Sequence, residues 1–136
     1  MACPYFFPTE KSSNIYWAFP QRLPLGAGFC GSCTAVAEDS LPSEPELRDF
    51  CNLGYATGCS RIPADRSSDA VRFAVAIDAG DHILVHYCCD RDHAPVEHGQ
   101  LRYDCLTQAW PLPHQNVCIQ RQAECYLSTY LQRRRK

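Results

Sequence analysis

Residues 69–89 read DAVRFAVAIDAGDHILVHYCC, and this stretch decides the fold class. Val71, Phe73, Val75 and Ile77 alternate with Arg72, Ala74 and Ala76, the two-residue period of a strand with one apolar face. Ala74 and Ala76 are small enough for the opposite face to be partly covered. Asp78-Ala79-Gly80-Asp81 has turn chemistry, and Ile83 to Cys89 forms a second run of strand-forming residues. The two runs predict an antiparallel hairpin.

On the C-terminal side, Ala94-Pro95 is expected to break the chain and His98-Gly99 to turn it, with Leu101, Tyr103 and Cys105 in a third strand. Trp110-Pro111-Leu112-Pro113 is a connector, and Asn116 is an N-cap candidate for a helix running to about Gln132. On that helix Ile119, Ala123, Tyr126, Leu127 and Tyr130 share a stripe. Cys118 and Cys125 lie on another face, two turns or about 10.5 Å apart, so they cannot grip one ion together. They predict a second buried surface, against another layer of the domain or against a partner.

On the N-terminal side, residues 1–63 hold seven of the ten prolines and five of the ten cysteines. One short helix is expected there. Ser43 caps it, Pro45 sits in its first turn, Leu47, Phe50 and Cys51 share a face, and Gly54 stops it. The remainder reads as extended loop, and loops of this length in a compact domain need an organiser. The fold class is therefore α+β: a loop-rich, cysteine-ligated half (1–63) packed on a small antiparallel sheet and a C-terminal helix (69–136). At 136 residues the chain has the length of a single domain.

Composition narrows the function classes. Thirteen Lys and Arg stand against fifteen Asp and Glu, and four of the cations are Arg133, Arg134, Arg135 and Lys136, which leaves nine over the rest of the chain. An acidic body with a basic end predicts no nucleic-acid partner; cations there complement a helix C-terminus. No run approaches the roughly 20 apolar residues of a membrane span. Met1 to Pro8 lacks the features of a signal peptide, so a cytoplasmic location is expected, where thiols stay reduced. Phosphate loops, dinucleotide fingerprints, nucleophile elbows and H-E-x-x-H are not found, which favours a non-catalytic protein.

In a reducing compartment, cysteines point to metal or redox chemistry. Cys3, Cys30, Cys33, Cys51 and Cys59 lie among glycines (Gly31, Gly54, Gly58) that let backbone amides approach sulfur. Only one C-x-x-C occurs, Cys30 to Cys33, so neither the paired motif of zinc ribbons nor the ferredoxin run is present. Thiols scattered over separate loops suit a larger cofactor; an iron–sulfur cluster, zinc and plain thiols all remain open. Among the histidines, His82 and His86 share a strand face but lie about 13 Å apart. His93 and His98 have a zinc-like spacing near Cys88 and Cys89, and ordinary loop roles are favoured for both. Cys88 and Cys89, adjacent on a strand, face opposite ways and form no vicinal dithiol.

The strings CPYFFP, LPLG, GSC, CNLGYATGC, DAVRF, DHAPVEHG and QAECYLSTYL resemble a group of small bacterial four-cysteine proteins of no known activity, over nearly the whole chain. The resemblance implies a four-thiolate site on Cys3, Cys33, Cys51 and Cys59. It leaves Cys30, Cys88, Cys89, Cys105, Cys118 and Cys125 outside the pattern. The expected function is a non-catalytic iron–sulfur protein binding one [4Fe–4S] cluster, with Tyr5, Phe6, Phe7 and Tyr55 around it. It would transfer electrons or serve as a small subunit of a redox complex with a protein partner. A zinc-stabilised adaptor module is the alternative, and a thiol redox protein using Cys30 and Cys33 the third.

Overall fold

In a computed structural model of the chain, residues 1–12, 15–17, 19–35, 41–54 and 56–134 are described. Tyr55, expected near the thiols, and Arg135 and Lys136 of the basic end lie outside the described residues. The elements run β1 (Phe6–Lys11), β2 (Phe29–Cys33), α1 (Glu44–Glu46), β3 (Ala70–Asp78), β4 (His82–Arg91), β5 (Ala94–Asp104) and α2 (Val117–Arg134). They form a two-stranded sheet β1-β2 and a three-stranded sheet β3-β4-β5, both antiparallel, in an α+β architecture.

The hairpin of residues 69–89 is present, with Val71 opposite Cys89, Phe73 opposite Tyr87 and Val75 opposite Val85. Gly80 turns it at φ +89°, a backbone region glycine enters without steric cost. Arg72, Ala74 and Ala76 are exposed, so the outer face is not covered as expected. The third strand departs further from expectation. β5 begins at Ala94 and runs straight through His98-Gly99, which is no turn. Pro95 is tolerated at the start of an edge strand. Gly99 serves packing, since a Cβ there would lie 2.9 Å from the Tyr87 hydroxyl. The actual turn is Asp92-His93, with φ of +51° and +69°, the doubly left-handed geometry of a two-residue hairpin loop.

The N-terminal half is less loop-like than its sequence. β1 and β2 pair across an irregularity between Pro8 and Glu10. A proline, a bulge and a glycine in so short a ribbon erase the alternation that would reveal it. Ser43 caps the short helix as expected, in a capping box with Glu46. From Leu47 to Cys51 the chain opens into a π-turn, and the amide of Asn52 donates to Leu47 O at 3.1 Å. Gly54 follows at φ +82° with Met1 O packed where a Cβ would stand.

Asn116 Oδ1 accepts from the amides of Cys118 (2.9 Å) and Ile119 (3.3 Å), capping α2. The Tyr126–Leu127 side of α2 packs on the three-stranded sheet: Leu127 joins Ile83 and Val85, and Tyr126 stacks on Phe73 at 5.8 Å. The opposite side, Cys118, Gln122, Cys125 and Thr129, is also buried. Thr129 Oγ1 donates to Leu25 O (2.7 Å), and Cys125 packs in one core cluster with Phe6, Leu25, Phe29 and Val71. The second buried surface is therefore another layer of this chain, and α2 is the middle layer between the two sheets.

Candidate metal centre

Each of the four cysteines singled out by sequence comes from a different local structure. Cys3 precedes β1, and its amide donates to Cys51 O at 3.1 Å while its carbonyl accepts from Phe6 N at 3.1 Å. Cys33 ends β2 opposite Phe6. Cys51 ends the π-turn, at the carbonyl end, where a helix gives no help to a thiolate. Cys59 follows a 3₁₀ turn (Ala56–Gly58) and donates its amide to Ala56 O at 2.9 Å. All four line one pocket, together with Tyr5, Phe6, Phe50 and Ile62. The pocket contains about 350 Å3 of empty space, of which about 20 Å3 is open to the centre of a water molecule. That is room for about one water, so the walls must part to admit anything larger.

Two buried amides fasten these segments together. Asn52, 1% exposed, donates to Phe29 O (3.1 Å) and Leu47 O (2.7 Å) and accepts from Phe29 N (3.0 Å), tying the segment after Cys51 to the strand that carries Cys33. Gln122, fully buried on α2, donates to Cys3 O and Phe6 O, both at 2.7 Å. Neither amide is visible as a site residue in the sequence. An isolated Asn or Gln carries no spacing signal until the fold places it.

The electrostatics oppose free thiolates. Burial pushes the Cys3 thiol up to about 12, and the neighbouring Cys33, Cys59 and Cys118 add to the rise. Cys51 is pushed up for the same first reason, with Cys3, Cys33 and Cys59 next. A group of thiols that disfavour one another's ionisation deprotonates together only against a bound cation. The charged side chains of the pocket, Arg61 and Glu46, pair with each other at 3.2 Å.

Other cysteines and the histidines fall into place around this centre. Cys30 and Cys33 lie three residues apart on an extended strand, about 10 Å, beyond the roughly 7 Å limit for a disulfide. Being an odd number apart, they face opposite sides of the ribbon, and only Cys33 reaches the pocket. Cys118, 3% exposed, contacts Thr34 Oγ1 at 3.4 Å in the first turn of α2. His93 sits in the β4–β5 turn, whereas His98 pairs with Cys88 on the outer face, its ring 6.0 Å from that of His86. Among the described residues, no three His, Cys, Asp or Glu side chains are placed to share a single metal ion. Phe7, expected near the thiols, does not line the pocket.

Fold and site define a cysteine-rich α+β protein with four thiols gathered from four segments into one largely apolar pocket. No family model, no curated protein and no solved structure matches the chain. No described helix is long and apolar enough to cross a membrane.

Proposed function

We propose that the protein holds one [4Fe–4S] cluster on Cys3, Cys33, Cys51 and Cys59, and works as a one-electron carrier or a small subunit of a redox complex. One observation carries this: four thiols from four separate segments line a single pocket. A tetrahedral zinc with Zn–S near 2.3 Å would need its sulfurs about 3.8 Å apart. Among the described residues no three ligand side chains approach one ion in that way, so zinc would require the four segments to close in. A polynuclear cluster takes its thiolates at separate corners, and the segments of this pocket would have to part to admit it. Such a cluster supplies reversible one-electron chemistry. The chain supplies four sulfurs, and the walls of Tyr5, Phe6, Phe50 and Ile62 limit contact with water, a main determinant of cluster potential.

The test is the iron, zinc and acid-labile sulfide content of protein purified without oxygen from cells given both metals. Iron and sulfide near four per chain are expected, lost in Cys51→Ser and kept in Cys30→Ser. About one zinc without sulfide would turn the site into a structural staple. Protein free of both metals overturns the proposal.

A further inference from the structure

α2 covers the inner face of the three-stranded sheet only as far as its own N-terminus. Beyond that point the face is open. Tyr87, Glu97, Ser67, Ser68 and His114 line a cleft there, with about 440 Å3 open to the centres of water molecules. Glu97, with its side chain half exposed, is the carboxylate among them. Tyr87 Oη donates to Glu97 Oε2 at 3.0 Å, and His114 Nε2 lies 2.9 Å from the same oxygen.

The second nitrogen of His114 is also engaged. Nδ1 accepts from the amide of Asn116 at 2.9 Å, which leaves Nε2 to donate to Glu97. Both partners donate to the same oxygen of Glu97. The His114 hydrogen bond holds its carboxyl below the usual carboxylate range, burial opposes this, and the Tyr87 hydrogen bond and attraction to the His114 ring add to the lowering. No Lys or Arg lines the cleft, and Glu97 Oε1 makes no hydrogen bond among the described residues. A carboxylate with one oxygen free of hydrogen bonds among the described residues, and no lysine or arginine beside it, faces the cleft.

We propose that this cleft binds a small organic cation, a primary ammonium on a short apolar stem, with Glu97 as its counter-charge. An ammonium has three donors and no acceptor. The cleft offers Glu97 Oε1 and the lone pairs of the Tyr87 hydroxyl, whose proton is already committed. Leu101, Pro113 and Ile119 supply an apolar wall for the stem. A metal ion is the poorer occupant, because both His114 nitrogens are engaged and no three-ligand group occurs among the described residues. An anion is opposed by Glu97. The first turn of α2 gives an anion little in return, since Asn116 Oδ1 already takes the amides of Cys118 and Ile119.

The experiment is an amide NMR titration of the full chain with n-butylammonium chloride at constant ionic strength, with n-butanol and sodium butyrate as controls. Saturable shifts centred on Tyr87, Gly99 and Asn116 are expected for the ammonium alone. Glu97→Gln, with an otherwise native spectrum, should weaken binding about tenfold or more, the usual weight of a charge-assisted hydrogen bond. Tyr87→Phe, which removes one acceptor, should weaken it severalfold and decides the question if Glu97→Gln does not fold. No saturation by butylammonium, equal binding of butanol, or unchanged affinity in the variant overturns the proposal.

Discussion

Asn52 makes three buried hydrogen bonds to two different segments. Asn52→Ala leaves the Phe29 amide and carbonyl without their side-chain partner, while Leu47 O keeps the backbone amide of residue 52, so a loss of about 2–3 kcal/mol is expected by urea unfolding. Cofactor content should fall with it, because the same amide sets Cys51 against β2. Acid–base behaviour gives a second prediction at this scale. Burial holds the Cys3 thiol up near 12 against an ordinary 9.0, so the folded metal-free protein keeps protons that the unfolded chain releases. Stability from this group is complete below about pH 9 and declines as pH rises toward 12, and a pH series of unfolding midpoints on metal-free protein will show that fall. Metal uptake has the opposite sign. Apparent affinity for a thiolate-binding probe such as Co2+ should rise with pH, since each bound thiol gives up its proton.

The elements differ in how much of themselves they show in sequence. The β3–β4 hairpin and α2 were legible because the alternation of Val71 to Ile77 and the capping Asn116 are local signals. The β1–β2 ribbon was not, since Pro8, Gly31 and the bulge between Pro8 and Glu10 leave too few regular residues. The β4–β5 turn was hidden for a different reason. It uses Asp92 and His93 in left-handed backbone where Asn-Gly or Asp-Gly is the recognised signal. Left-handed backbone costs a side-chain-bearing residue about 1–2 kcal/mol, partly offset by the chain entropy of glycine. His93→Gly should therefore stabilise the protein by about 0.5–1 kcal/mol and raise the thermal midpoint by a few degrees. The same local blindness applied to the site. The thiols are visible as residues, but the amides and aromatic walls that position them are gathered by long-range packing.

At the scale of the whole molecule, α2 is buried on both sides. Its Leu127 meets Ile83 and Val85 of one sheet, while Gln122 and Thr129 hold the chain on the other side. Leu127→Ala should cost about 2–5 kcal/mol, read from equilibrium unfolding. Because the helix is shared, the loss should appear as one cooperative transition by near-ultraviolet and far-ultraviolet signals alike. Two separated transitions would mean that the layers unfold independently.

The carbonyl of Cys3 is held by Gln122, almost the length of the chain away. The four thiols themselves all lie within the first 59 residues. During synthesis the ligand set therefore emerges from the ribosome well before the helix that braces it. On the proposed reading, a metal arriving early would meet thiols on an unbraced chain, so faithful loading would follow the docking of α2.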